Sequence, residues 1–282
     1  MKVLILGAKG NLGQAMVEVY HGHEVSAWDR AELDITDPDA VTQKITELAP
    51  ELIINCAAYN AVDKAEEDRA IADQINGYAV GFVAKAAAQI GATIVHYSTG
   101  QIFDGGNSGG YNENDKPCPV NAYGMSKFMG EIELQNSTEN FYLIRTCWLY
   151  GKPAVGPDAA VGGAKKSFTD IMLEMAKEGK PINAVSNEFG NPTYVVDLAQ
   201  ATRALIEQQK PFGIYHLVNS GTASRYDWAQ AIFAIKGISP ELNSVEGRFF
   251  ERRAKRPKYE VLNNNNFIQL RPWTEALREY LA

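Results

Sequence analysis

Short apolar runs alternate with longer stretches of mixed polarity through the first two thirds of the chain. Val3–Leu6, Glu24–Trp28, Leu52–Asn55, Thr93–Tyr97 and Phe141–Thr146 read as strands. Between them Leu12–Tyr20, Asp39–Leu48 (entered through Pro38), Lys64–Ile90 with a break near Gly77, and Ala122–Leu134 carry helical periodicity. Short strands separated by helices of this length imply βαβ units and a parallel sheet. Because such crossovers are right-handed, the expected fold class is α/β, a doubly wound parallel (Rossmann) sheet.

After Tyr150 the pattern changes. Gly151–Gly163 is rich in Gly, Ala and Pro and reads as a loop. A helix is expected over Lys165–Lys177 and a strand over Ile182–Val185, then a helix–strand unit of the main sheet over Val195–Gln208 and Ile214–Val218. A further helix is expected over Tyr226–Ile235. Trp273, Leu277, Tyr280 and Leu281 share one face of a closing helix. The expected organisation is a dinucleotide-binding domain over 1–150, rejoined by about 186–219. Segments 151–185 and 220–282 form a smaller substrate-binding lobe with the C-terminal helix.

Composition narrows the function classes. The net charge of −7 and the lack of basic runs interleaved with aromatics argue against nucleic acid as a partner. No apolar stretch reaches the roughly 18 residues that span a bilayer, and a strand directly after Met1-Lys2 predicts no signal peptide. Cys56, Cys118 and Cys147 are far apart, without CxxC or zinc-ligand spacing, so they read as free thiols of a cytoplasmic protein without a metal site.

The candidate chemistry lies at strand ends. Gly7-Ala8-Lys9-Gly10-Asn11-Leu12-Gly13 joins the first strand to the first helix, where glycines permit a tight turn and helix N-terminal amides can meet a pyrophosphate. The spacing alone is weak; its position is informative. Asp29 ends the second strand, where a carboxylate can hold the adenosine ribose of NAD. Arg30 and Lys9 could instead pair with the 2′-phosphate of NADP, so use of both NADPH and NADH is expected. Asp34-Ile35 follows where the chain would pass beneath the adenine. Cys56-Ala57-Ala58-Tyr59 ends the third strand with mostly small residues that let backbone approach a dinucleotide.

Ser98-Thr99 ends the fourth strand, and Tyr123 and Lys127 fall four apart on one face of the next helix. An ammonium beside a phenol lowers its pKa toward the range useful for proton transfer, and a neighbouring hydroxyl can hold the carbonyl being reduced. Glu66, Glu67 and Asp68 suit a helix N-terminus and need no catalytic role, and His21 and His23 read as surface residues. Trp148 is either a sugar-stacking or a lobe-packing aromatic.

Together these residues resemble the extended short-chain dehydrogenases, and more narrowly the dTDP-4-dehydrorhamnose reductase family. The resemblance runs over nearly the whole chain. It rests on the glycine turn, Leu33-Asp34-Ile35-Thr36-Asp37, Asn55-Cys56-Ala57-Ala58-Tyr59, Ala61-Val62-Asp63-Lys64-Ala65-Glu66 and His96-Tyr97-Ser98-Thr99. Tyr123-Gly124-Met125-Ser126-Lys127, Arg145-Thr146-Cys147-Trp148-Leu149-Tyr150, Gly190-Asn191-Pro192-Thr193 and Arg256-Pro257 complete it. It implies hydride transfer from NADPH or NADH to C4 of a 4-keto-6-deoxy sugar on a nucleoside diphosphate. In that scheme Tyr123 supplies the proton, Thr99 holds the oxygen, and Lys127 binds ribose and tunes Tyr123. Asn60, Val62, Thr99, Gly100, Gln101 and Trp148 would border the sugar, and the scaffold implies a homodimer.

The chain also departs from the family. Where the family commonly reads Ser-Thr-Asp-Tyr-Val-Phe, this chain has Ser98-Thr99-Gly100-Gln101-Ile102-Phe103. Asn60 replaces a usual Thr, and Glu260 and Leu262-Asn263 stand where Ser and Leu-Asp often follow Arg-Pro. The departures gather around the sugar, so the substrate can differ from the rhamnose precursor. Two other readings stay open: an epimerase or dehydratase that retains NAD, and a non-catalytic regulatory subunit like the partner of a methionine adenosyltransferase.

Overall fold

A computed structural model describes residues 1–155 and 166–282. The strands that form the central sheet come first in the chain. β1 (Lys2–Leu6), β2 (Glu24–Trp28), β3 (Leu52–Asn55), β4 (Thr93–Thr99) and β5 (Phe141–Thr146) alternate with helices α1 (Asn11–Val19), α2 (Pro38–Leu48), α3 (Arg69–Asp73), α4 (Ala79–Ile90) and α5 (Ala122–Ser137). There follow the short strand β6 (Leu149–Tyr150), helix α6 (Phe168–Glu178), strands β7 (Ile182–Val185), β8 (Phe189–Gly190) and β9 (Thr193–Tyr194), helix α7 (Val195–Glu207) and strand β10 (Gly213–His216). The remainder comprises β11 (Asn219–Ser220), β12 (Ala223–Ser224), α8 (Arg225–Lys236), β13 (Leu242–Val245), β14 (Tyr259–Glu260), β15 (Leu270–Pro272) and α9 (Trp273–Leu281).

The main sheet is parallel throughout, in the order β10-β5-β4-β3-β1-β2. Chain direction across the sheet reverses at β1, so the crevice between the carboxyl ends of β1 and β3 is the topological switch point where such sheets receive ligands. Its strands are apolar on both faces because helices cover both. Val3 and Ile5 pack with α1 and α7, while Leu4 and Leu6 pack with α2 and α4.

The expected helix over Lys64–Ile90 is not interrupted at Gly77. A π-helical turn over Gln74–Tyr78 joins α3 to α4, and Gly77 packs there against Met129 of α5, 3.1 Å from where its Cβ would stand. The first part of the expected helix is instead a 3₁₀ turn, Lys64–Glu66. α6 starts at Phe168, since Ser167 and Asp170 form a capping box; Lys165, the expected start, lies outside the described residues. So does most of the expected loop Gly151–Gly163, of which 151–155 are described.

Outside the main sheet, β7 pairs with β13, β8 with β12 and β14, β11 with β15, and β6 with β9. A separate apolar cluster there joins Tyr150, Met172, Trp228, Phe233, Trp273 and Leu277. In α9 Trp273, Ala276, Leu277 and Leu281 are buried, and Tyr280 ties the helix down by donating its hydroxyl to Asp170 Oδ1 at 2.8 Å. Among the described residues no helix is long and apolar enough to cross a membrane.

α5 is fixed to the sheet by a buried fork. Arg145 Nε and Nη2 donate to both carboxylate oxygens of Glu131 at 3.0 and 2.8 Å, and Nη1 donates to Glu113 O at 3.0 Å. Both side chains are almost wholly buried. Removing one partner strands a charge in the interior, which costs about 3–5 kcal/mol. Glu131→Ala is therefore expected to lower the urea-unfolding free energy by that amount. Glu24→Ala, which breaks an exposed pair with Lys2, should change it by under about 0.5 kcal/mol.

Candidate functional site

The β1–α1 turn is set by two close backbone approaches. Gly7 has φ +70°, and a Cβ there would lie 2.7 Å from Ala57 N at the end of β3. A Cβ on Gly13 would lie 2.1 Å from Gly7 O, so α1 can start tight against the strand only without side chains at both places. Gly10 is the N-cap, with no side-chain cap and no acidic residue in the first turn. Amides of that turn therefore face the crevice without a competing anion.

Two cavities meet at this turn. The first, of about 230 Å³, is lined by Gly7, Asp29, Arg30, Asp34 and Ile35. The second, of about 500 Å³, is lined by Leu12, Gly13, Thr99, Tyr123, Lys127 and Trp148, among others. Gly10, Asn11, Cys56, Ala57, Ala58 and Asn60 line both, which makes one continuous track along the carboxyl edge of the sheet. Asn11 Oδ1, Ser98 Oγ and Thr146 Oγ1 on this track are buried without a hydrogen-bond partner among the described residues. At the outer end Arg30 Nε donates to Asp34 Oδ2 at 3.3 Å in an exposed ion pair, which is weak enough to exchange for another anion.

At the inner end, helix capping delivers the tyrosine and lysine. Asn121 Oδ1 accepts from Gly124 N at 2.7 Å, and Glu66 Oε1 accepts from Ala122 N at 2.9 Å. Asn121 Nδ2 also donates to Gln101 Oε1 at 3.0 Å, joining the 3₁₀ turn after β4 to the start of α5. Thr99 Oγ1 accepts from Gln101 N at 3.2 Å. Lys127 Nζ donates to Tyr97 O at 2.6 Å and lies 3.4 Å from His96 Nε2. Asn55 Oδ1 is committed to the Ala57 amide, so its Nδ2 donates to His96 Nδ1.

Burial pulls the Lys127 ammonium down to about 8, an effect that the Glu131 carboxylate partly offsets. Burial likewise holds His96 neutral, with the Lys127 charge acting in the same sense. Against the lowering expected from Lys127, burial pushes the Tyr123 phenol well up; the Glu260 carboxylate adds to this and the Thr99 hydroxyl opposes it. Trp148 adopts a left-handed φ of +44°, a conformation a bulky residue holds only when its surroundings enforce it. Its ring lines the larger cavity and also stacks on Trp228 at 6.1 Å between centroids, so it both faces the cavity and packs the second cluster.

Three expected residues line neither cavity. Tyr59 is 2% exposed: Asn76 brackets its backbone, accepting from Tyr59 N and donating to Tyr59 O, and its hydroxyl donates to Asp68 Oδ2 at 2.9 Å. Its side chain is thus turned into the structure. Lys9 sits at the outside of the turn, its carbonyl accepting from Val155 N and Gln14 Nε2. Gly100 is covered by Glu260, whose Cγ would lie 2.8 Å from a Cβ at that position. The cavity-lining residues missed from sequence include Glu260, Arg225, Lys166, Ser167, Phe168 and Ile171. The Ser167–Asp170 capping box was a readable signal for where α6 begins; nothing local marked Arg225.

Similarity to known proteins extends over the whole chain. The family model described as RmlD substrate binding domain matches residues 1–282. The spore coat polysaccharide biosynthesis protein SpsK of Bacillus subtilis is 35% identical, over 99% of this chain and 96% of that protein. The dTDP-4-dehydrorhamnose reductase of Mycolicibacterium smegmatis is 34% identical, over 100% of this chain and 85% of that protein. Among solved structures, the dTDP-4-dehydrorhamnose reductase of Bacillus anthracis in complex with NADP superposes with a TM-score of 0.92 at 35% identity, covering 99% of both chains.

Proposed function

This chain belongs to the RmlD family, that of the dTDP-4-dehydrorhamnose reductases, and we propose that it reduces the 4-keto group of a dTDP-linked 6-deoxy sugar with NADPH or NADH. The observation that carries the reading is the meeting of Thr99, Tyr123 and Lys127 in a cavity continuous with the glycine turn. A regulatory subunit needs no such meeting.

The dinucleotide would be held by the first-turn amides of α1, by Asn11, and by Asp29 and Arg30 at the adenosine end. When bound, its reduced nicotinamide supplies the hydride. Thr99 donates a hydrogen bond to the sugar carbonyl oxygen, so negative charge developing there is stabilised in a site shielded from water. Tyr123 gives its phenolic proton to that oxygen. A phenol that burial keeps protonated is in the correct state to act as the acid in reduction. The Lys127 ammonium, one helical turn along α5, offsets the charge left on Tyr123. The described residues of 151–185 and 220–282 would serve as the substrate-binding lobe. The cytoplasm is the proposed compartment, with Cys56, Cys118 and Cys147 as free thiols.

Three outcomes are expected. With a dTDP-4-keto-6-deoxy sugar, Tyr123→Phe should lower kcat by about 10²–10⁴ while the dissociation constant for NADPH stays within about twofold. Retained turnover would remove Tyr123 from the reaction.

The Lys127 ammonium is present below about pH 8 and lost above it, so kcat/KM should be level on the acid side and fall on the alkaline side. In Lys127→Arg the residual activity should lack that limb, because a guanidinium keeps its charge. A limb at the same pH in Lys127→Arg would assign it to another group.

Arg30→Ala should raise the KM for NADPH by about tenfold, the equivalent of one charge-assisted contact, and leave that for NADH unchanged. Equal changes in both would place Arg30 outside phosphate recognition.

A further inference from the structure

The larger cavity holds two charged side chains that the reduction chemistry does not use. Glu260 ends β14 and Arg225 opens α8, and both line the cavity beside Thr99, Tyr123 and Lys127. Trp148 stands between them. Its Nε1 donates to Glu260 Oε2 at 3.0 Å, and its ring face carries the Arg225 guanidinium, whose carbon lies 3.9 Å from the ring centroid. Phe168 and Trp228 complete an aromatic cage around that guanidinium at 4.9 and 5.1 Å.

Each charge is only partly compensated by the protein: burial raises the Glu260 carboxyl, while the Trp148 N–H and the nearby Arg225 guanidinium oppose that. Glu260 is 6% exposed, and its Oε1 accepts no hydrogen bond among the described residues. Arg225 makes no hydrogen bond or ion pair among the described residues, and burial pulls its guanidinium down to about 10. A carboxylate oxygen and a guanidinium that face one cavity without a protein hydrogen bond offer an acceptor and a fork of donors to a polyhydroxylated ligand.

Position 100 explains how the carboxylate comes to be there. A Cβ on Gly100 would meet Glu260 Cγ at 2.8 Å and Glu260 O at 3.1 Å. Gly100 is not in the left-handed region, so contact with Glu260 keeps it a glycine. This patch of the cavity wall holds either a side chain from the β4 end or Glu260 from β14, but not both without displacement.

We propose that Glu260 is a specificity-determining residue of the sugar site: its free Oε1 accepts a hydrogen bond from a ring hydroxyl, and Arg225 donates to an oxygen of the same sugar. The inference rests on the function proposed above and adds the side chains that read the sugar's hydroxyls. Trp148 sets the pair by binding one member through its N–H edge and the other through its face.

The test uses the full-length enzyme with NADPH and a dTDP-4-keto-6-deoxy sugar. Glu260→Gln keeps the shape and removes the charge. It should raise the KM for the sugar by about tenfold, leave the KM for NADPH unchanged, and change kcat less than KM. The penalty should disappear on the 2-deoxy or the 3-deoxy analogue, whichever lacks the hydroxyl that Glu260 holds. Glu260→Ala should show the same loss, and Gly100→Asp in that background should restore part of it by returning a carboxylate from the other wall. Gly100→Asp alone should be worse than either, because Glu260 is displaced.

An unchanged sugar KM in Glu260→Gln, an equal rise in the NADPH KM, or a penalty that persists on both deoxy analogues would overturn the assignment. If the unaltered protein neither turns over the ketosugar nor binds dTDP-rhamnose by calorimetry, the functional reading fails first and the assignment with it. Turnover by the unaltered protein with no effect of Glu260→Gln sinks this inference alone.

Discussion

Helix α5 lies against its neighbours at backbone distance. A Cβ on Gly130 would stand 2.1 Å from Asn76 O, and one on Gly124 would stand 2.2 Å from Gln101 O. These approaches let the π-helical turn and the chain after β4 close on the helix that carries Tyr123 and Lys127. They also explain why a wide turn, rather than a break, joins α3 to α4: Asn76, inside that turn, donates to Ser126 Oγ and brackets the Tyr59 backbone. The glycine turn at β1–α1 repeats the device on the other side of the crevice. There Gly7 and Gly13 bring a strand end, a helix start and Ala57 together.

Such packing puts charges where water is scarce, and the structure answers each burial differently. Arg145 and Glu131 neutralise each other through a bidentate pair and leave α5 fixed to β5. Lys127 has only a carbonyl, a neutral imidazole and a carboxylate one turn further along α5, so its ammonium stays marginal and able to respond to what lies beside it. Glu260 and Arg225 are held apart by Trp148, each with bonding capacity directed into the cavity. Structural charge is paired within the protein, whereas charge available to a ligand is left open.

The same contrast separates the two ends of the track. The smaller cavity is built from the glycine turn and the segments that follow β1, β2 and β3. The walls of the larger cavity also come from β4, β6, α6, α8 and β14, which are distant in sequence and meet only through packing. Change at Gly100, Gln101 and Glu260 can therefore alter what is recognised while Thr99, Tyr123 and Lys127 keep their places.

The sequence by itself determined the parts governed by local rules. Periodicity located the strands of the parallel sheet, and strand-end position singled out the glycine turn, Asp29, Thr99 and the Tyr123–Lys127 helix face, because each depends on residues close in the chain. The same local reasoning placed Tyr59, Lys9 and Gly100 beside ligands. It could not see that Asn76 would turn Tyr59 inward, that the turn would present Gly10 and Asn11 instead of Lys9, or that Glu260 would cover Gly100. Glu260 was visible as a departure from the family without a place to act, and Arg225 gave no signal at all. Only the tertiary structure decided those positions. Their environment is made by other elements of the fold, from Asn76 beside Tyr59 to Glu260 over Gly100, and a buried contact leaves no periodic trace along the chain.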